Sequence, residues 1–449
     1  MPAVHPFRAV RYTASRSPAL SKLISPPYDV VSPELREELA ARSPHNIIHV
    51  ILDKERAGDG PDENKYVRAG RRWNEWMAEG VLRQDPRPAI YAIEQTFTGP
   101  DGHPLVRRGA VVNCRLHAYE EGIILPHEKT LSTALADRLE ILKRVKANLS
   151  APFGLYEDDR REGHRTLAEA INSAGEPVSE ADSDDETHHR LWRIEEPRAI
   201  ARLREVLLSR TVFIADGHHR YESTLAYRDL VDQENPGLPD DAGHRYMMMT
   251  LCSMNDPGLV IFPTHRLVFG LQGFKLAAFL EQLQQYFEVE TLLEDLRRPA
   301  GRAWAVSKLA DHCGKSTTFL MVSAEDKKGR ILTARDDADF SRVSLPENVT
   351  VRDLDVTALH AIVLQHLLGL SPQAQEREEN LRYEMDAGEV VNRTLSGEYQ
   401  LGFLVNPTPM WQVAAVAESG DTMPQKSTFF YPKLATGLAM RIVHEKVVE

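Results

Sequence analysis

Cysteine is scarce: Cys114, Cys252 and Cys313 are the only three in 449 residues, and they lie far apart. That excludes a disulfide-stapled fold and a zinc ribbon and fits a reducing compartment. No apolar run approaches the length of a membrane span, and residues 1–22 lack the apolar stretch of a signal peptide. A cytoplasmic protein that does not enter a membrane is expected. The chain has no internal repeat, no Walker A loop and no Gly-x-Gly-x-x-Gly, which removes solenoid, P-loop and dinucleotide-fingerprint readings. His-Glu-x-x-His is missing too, so a zinc hydrolase built on His127, Glu128, His218 and His219 lacks its spacing. Positive charge is in deficit, 54 Lys and Arg against 66 Asp and Glu, for a formal net charge of -12. This argues against broad nucleic-acid binding.

What is present is ordinary for a globular protein, 42% hydrophobic and 27% charged residues, in a chain long enough for about two to four domains. One stretch organises the rest: Thr211-Val212-Phe213-Ile214-Ala215-Asp216-Gly217-His218-His219-Arg220-Tyr221. Alternate residues are apolar on both faces, which predicts a strand buried on both sides. Gly217 permits a tight turn, and a helix follows over 221–231. The carboxyl end of a strand beside a helix N-terminus is where an α/β protein can hold an anion. Asp216 could hold a metal or orient a histidine. His218 and His219 could donate to phosphate or shuttle protons, and Arg220 can grip an oxyanion with two N–H groups. The plainer reading is a helix start with Asp216 as its N-cap and two surface histidines.

Before that stretch, Ser32 and Pro33 predict a helix start running through Ala41, and 46–52 reads as a strand. Tyr66, Trp73 and Met77 recur at helical spacing. Two paired strands are expected over 89–97 and 106–116, around a Gly-Pro-Asp-Gly turn at 99–102. A short strand over 123–125 ends in Pro126-His127-Glu128-Lys129-Thr130. The helix after it places Leu135, Leu139, Leu142 and Leu149 on one face and Arg138, Lys143, Arg144 and Lys146 largely off it. Residues 151–156 read as a strand and 175–189 as an acidic loop with His188 and His189 in solvent. A helix over 197–208 leads into the central strand, and a strand over 244–254 follows it. Beyond residue 271 the order is helix, strand, helix, strand, strand. Then come a linker near 346–352, an apolar helix over 353–368 with His360 in the core, and a strand over 401–405. The last polar cluster, Asp421 to Thr428, offers Lys426, Ser427 and Thr428 to an anion, or is an ordinary turn. The fold class expected is α/β (mixed α+β). The expected parts are 1–120, a core over 121–269, a small α+β part over 270–345 and an α/β part over 346–449.

Pro26-Pro27-Tyr28-Asp29-Val30-Val31, the 126–130 box with Asp137-Arg138-Leu139, Ile214 to Glu222, and Met423 to Thr428 together resemble the bacterial and archaeal family called domain of unknown function 1015. That resemblance brings no settled biochemical role. More narrowly, the stretch 123–230 is similar to the nucleotide-binding core of the ParB and sulfiredoxin superfamily, closest to the free-serine kinases, which carry an Asp-Gly-His-His-Arg box. This resemblance implies that His218, His219 and Arg220 meet nucleotide phosphates, that Asp216 holds Mg²⁺ or positions the acceptor, and that Glu128 is the general base for a hydroxyl. Gly217 and Lys129 join the candidate phosphate-binding set. Sulfiredoxin chemistry needs a cysteine in the glycine box, and none stands at 216–220.

The leading expectation is Mg²⁺-dependent phosphoryl transfer between a nucleotide, ATP or ADP, and serine or phosphoserine. Such chemistry depends on positioning and charge neutralisation. The rivals are a nucleotide-gated, ParB-like regulatory or DNA-binding protein, for which neither a helix-turn-helix nor a basic surface is evident, and a phosphoserine phosphatase that works without nucleotide.

Overall fold

The central stretch forms a strand, Val212–Asp216, because four consecutive side chains are buried there. Val212 and Ile214 enter one core with Val112, Met249 and Tyr221. Phe213, 1% exposed, points to the other face. The computed structural model of the chain describes residues 3–100, 102–208 and 210–447. Met1, Pro2 and Asp101 of the expected 99–102 turn lie outside the described residues.

The fold is mixed α+β, in two compact units. The first comprises residues 1–126, 130–260 and 432–449, the second 127–129 and 261–431. In the first, a nine-stranded mixed sheet runs Ile124–Leu125, Val212–Asp216, Phe153–Tyr156, Tyr246–Ser253, Pro104–Arg115, Ile90–Thr98, His188–Ile194, Ser179–Asp182, with Val4–His5 also paired to Pro104–Arg115. Val212–Asp216 is parallel to Ile124–Leu125, with Val212 beside Ile124, and antiparallel to Phe153–Tyr156. The two strands that precede the polar boxes therefore end on the same side of one sheet. The helix Ser132–Val145 packs against the helix His218–Glu234, with Leu139, Leu142, Tyr227 and Val231 sharing a small core.

The second unit is built on a six-stranded antiparallel sheet, ordered Phe287–Thr291, Gly329–Ala334, Thr318–Ser323, Leu401–Val405, His265–Val268, Leu381–Glu384. Helices cover both faces: Leu276–Leu283 and the π-helical segment Leu359–Leu367 on one, Pro299–Ala310 and Ala387–Ser396 on the other. Among the described residues, no helix is long and apolar enough to cross a membrane.

Several expectations are corrected. The boundaries at 120, 269 and 345 cut through sheets, because hydrogen-bonded neighbours come from segments far apart in sequence. The strand expected over 46–52 is a four-residue helix, Ile48–Ile51. Asn46 decides it: its side chain accepts from the Ile48 amide at 2.9 Å and donates to the carbonyls of Lys22 and Ile24. Such side-chain capping outweighs the β-branched preference of the run. The loop expected over 175–189 contains the strand Ser179–Asp182 and the start of His188–Ile194. His189 is not in solvent: it is 1% exposed, within 2.6 Å of the Ser183 hydroxyl, and burial pushes its pKa down to about 4.

Candidate functional site

Asp216 ends its strand and Gly217 turns the chain, at a φ of 92°, into the helix His218–Glu234. Only glycine takes this conformation without strain. A Cβ there would also meet the Arg220 guanidinium at 2.8 Å. Gly217, not Asp216, is the N-cap, and no side chain caps the helix. Asp216 is engaged otherwise: one carboxylate oxygen accepts from the Lys433 ammonium and the other from Arg220. The Lys433 and Arg220 charges hold the Asp216 carboxyl well below the usual range against the opposing effect of burial, and nearby His218 acts in the same direction. Arg107 adds a third cation close by. It is buried, bonded to Gln95 at 3.1 Å and to the Pro432 carbonyl, and it lies over the Phe153 ring at 4.5 Å.

The histidines are not surface groups. His218 is 6% exposed. His219 Nε2 accepts the Leu131 amide at 2.8 Å. That contact requires Nε2 to be unprotonated, so His219 is a neutral imidazole with its proton on Nδ1. Beside Leu131, the Thr130 hydroxyl donates to Glu222. Thus Thr130 and Leu131 sit against the first turns of the Asp-Gly-His-His-Arg helix.

Arg138, expected off the buried face of its helix, is 8% exposed. It stacks on the Tyr28 ring at 3.9 Å, donates to the Ile51 carbonyl at 3.0 Å and pairs with Asp137. Burial, resisted mainly by the Arg138 charge, pushes the Tyr28 hydroxyl up to about 12. Tyr28, Arg138 and Arg220 line one cavity of about 50 Å³. Three of the stretches singled out in the sequence thus converge on one place in the first unit.

The residues His127–Lys129 belong to the second unit, with the C-terminal cluster. The Met423 amide donates to the His127 carbonyl at 2.8 Å, Glu128 forms a parallel bridge with Met423, and His127 Nε2 lies 2.9 Å from the Thr428 hydroxyl. Glu128 is half-buried, while Lys129 and Lys426 are exposed. The Ser427 hydroxyl is taken up by the Pro424 carbonyl at 2.5 Å, and its own carbonyl accepts from Thr408. The Lys426 backbone is left-handed, at a φ of 57°, and its carbonyl accepts from Arg266 at 3.2 Å. In this arrangement the Lys426 backbone and the Ser427 hydroxyl shape a turn.

Arg266 is fully buried and its partners are neutral: the Thr264 and Lys426 carbonyls, His360 Nε2 at 2.9 Å and the Tyr383 ring. Burial lowers its pKa to about 10, and burial with the Arg266 charge lowers His360 to about 3. His360 stands in the π-helical segment, a conformation often found at functional positions. It is a satisfied core histidine, as its apolar surroundings in the sequence indicated.

The residues do not form a resident metal site. Both Asp216 oxygens face cations, and no group of three or more His, Cys, Asp or Glu among the described residues could hold a metal ion. In this structure Asp216 is the counter-ion of Lys433 and Arg220.

The strand-turn-helix and its buried charges define a mixed α+β protein with a charged turn suited to oxyanions. The chain belongs to the family described as "Protein of unknown function (DUF1015)", which matches residues 4–357. Comparison with curated proteins finds no match. Among solved structures, the chain is similar to a free serine kinase in complex with AMP, at 11% identity and a TM-score of 0.34, covering 70% of this chain and 89% of that one. A conserved hypothetical protein from Pyrococcus furiosus matches at 13% identity and a TM-score of 0.34, covering 70% and 92%. SbnI from Staphylococcus aureus, with a C-terminal truncation, matches at 10% and 0.31, covering 73% and 87%. Likenesses at this level carry no activity from one chain to another.

Sequence reasoning found Asp216, Gly217, His218, His219 and Arg220 but missed Lys433 and Arg107 as their partners. Lys433 lies 217 residues from Asp216, and no local pattern signals such a contact.

Proposed function

We propose that this chain binds a nucleotide and transfers a phosphoryl group between it and a small hydroxy acid, with serine and phosphoserine as the substrate pair. The observation that carries the proposal is the Asp216–Arg220 turn, where a left-handed glycine opens a 17-residue helix at the carboxyl end of a buried strand. The helix N-terminus favours anions. Asp216, set between Arg220 and Lys433, holds both cations in place at the turn. Its box also resembles that of the free-serine kinases.

In this reading Arg220 and Lys433 neutralise phosphate oxygens, and the first-turn histidines orient them. Positioning and charge neutralisation supply most of the catalysis in phosphoryl transfer.

The test incubates pure protein with labelled ATP and serine, then with ADP and phosphoserine, each with and without added Mg²⁺. Phosphoserine formed only in the presence of nucleotide supports the proposal. Bound nucleotide with no transfer in either direction moves the reading to a regulatory protein. Release of phosphate from phosphoserine without nucleotide moves it to a phosphatase.

A further inference from the structure

We infer that the cavity lined by Tyr28, Arg138 and Arg220 is a second oxyanion subsite, which takes the acidic end of the small substrate and not a nucleotide phosphate. The identity of that substrate rests on the proposed phosphoryl transfer; the anion subsite itself rests on geometry within the first unit.

The cavity holds two guanidinium groups, each more than nine-tenths buried, at 8% and 7% exposure for Arg138 and Arg220. Its remaining wall is largely apolar, including Ile51, Leu142 and Met247. Two buried cations in an apolar wall are costly unless their hydrogen-bonding groups are met. Arg138 meets its needs through Asp137 and the Ile51 carbonyl. Arg220 does not. Nη1 donates to the Ala151 carbonyl at 2.8 Å and Nη2 to Asp216, but the buried Nε has no hydrogen-bond partner. An unpaired charged donor of this kind carries an unmet desolvation cost. An oxyanion in the cavity would draw on both arginines and offset the cost of burying Arg220.

Charge and size narrow the ligand. Each guanidinium shares its carboxylate with a lysine: Asp137 also meets Lys65 at 3.1 Å, and Asp216 also meets Lys433. Neither carboxylate therefore neutralises its arginine alone. A space of about 50 Å³ between the arginines suits one carboxylate or phosphate group. The Tyr28 ring, stacked on the Arg138 guanidinium at 3.9 Å, fixes the plane in which Arg138 can present its N–H groups. Arg138 and Tyr28 are thus positioned to select an acidic substrate, a role distinct from that of the helix N-terminus.

Calorimetry on the full chain tests this with four probes: L-serine, acetate, inorganic phosphate and ADP. Two variants are compared with the parent. Arg138→Gln removes a charge, and Ser150→Leu fills the cavity from another lining position without touching one; it decides the case if Arg138→Gln fails to fold. Both variants should weaken serine binding roughly tenfold or more, the scale of a lost charge-assisted contact, and leave ADP affinity unchanged. Competition by acetate identifies the carboxylate as the occupant, and competition by phosphate identifies the phosphate of phosphoserine. Parallel loss of ADP affinity would assign the cavity to the nucleotide and overturn the inference. So would unchanged binding of serine and phosphate in both variants, or no binding of either by the parent. Arg138-dependent binding of serine or phosphate by a protein that binds no ADP would uphold the subsite while removing the proposed phosphoryl transfer.

Discussion

Both units bury an arginine and a carboxylate, but they arrange them differently. In the first, Arg220 and Lys433 close on Asp216, and the carboxylate is held well below its usual range. In the second, Arg266 meets only neutral partners and is pushed down to about 10. Asp355 sits apart from any cation, accepting the Thr318 amide at 3.3 Å, and burial raises it to about 7. A counter-charge favours the ionised form, and burial without one disfavours it. The contrast locates the candidate chemistry. At the Asp216 turn a carboxylate stands between two cations, an arrangement that a bound oxyanion could extend, whereas Arg266 and Asp355 have no such counter-charge. The second unit uses its buried polar groups to tie strands and turns together, as Arg266 does with the Lys426 turn.

The sharpest break in this contrast is Asp216→Ala. It leaves Arg220 and Lys433 without their shared counter-charge, and removing one partner of a buried ion pair costs about 3–5 kcal/mol. Denaturant unfolding of the first unit should register that loss. Asp216→Asn should recover only part of it, since an amide cannot supply the charge.

Next in size is a pH effect confined to the second unit. The Asp355 pKa is raised on folding, so the folded state holds a proton that the unfolded state releases. Stability from this group is present below the unfolded carboxylate range, about pH 4, and is lost as the pH rises towards about 7. The full span corresponds to at most about 4 kcal/mol. Buried His265 and His360, both lowered to about 3, act with the opposite sign, losing stability as the pH falls below about 6.5. The measurement is therefore the difference between parent and Asp355→Asn. The relative stability of the variant should grow steadily from pH 4 to 7, and a flat difference would contradict the assignment.

Gly217→Ala should cost about 1–2 kcal/mol for the left-handed backbone alone. The Arg220 guanidinium must also move, since the new Cβ would lie 2.8 Å from it. Nucleotide affinity should fall with stability.

The smallest effect is expected from Arg266→Met. Replacing an isolated buried charge with an apolar chain removes its desolvation cost while leaving two carbonyls and the His360 Nε2 unmet, so the opposing effects should leave a net loss smaller than that of Asp216→Ala. A loss comparable to that of Asp216→Ala would show that the two units do not differ as described.

Legibility in the sequence followed the range of the interactions. The strand Val212–Asp216 could be read because its burial appears as a continuous apolar run, and Ser32 announced its helix, accepting the Leu35 amide at 3.2 Å. The polar boxes could be read because chemistry-bearing residues are adjacent in sequence. What could not be read depended on distant partners. Lys433 reaches Asp216, and Tyr28 covers Arg138, only once the chain is folded. Arg138 was placed off the buried face because periodicity assigns charge to solvent, whereas the Tyr28 ring and the Ile51 carbonyl bury it. Asp216 looked like a cap or a metal ligand for the same reason: its counter-cation Lys433 is far away in the chain.

The most direct test of the central claim is titration of ATP into the parent protein and into Arg220→Gln, followed by calorimetry. The parent should bind ATP, and the variant should bind it about 1.5–3 kcal/mol more weakly, the value of hydrogen bonds to a charged group. Equal affinity in the two proteins, or no binding by the parent, would contradict the assignment of the Asp216–Arg220 turn to nucleotide phosphate.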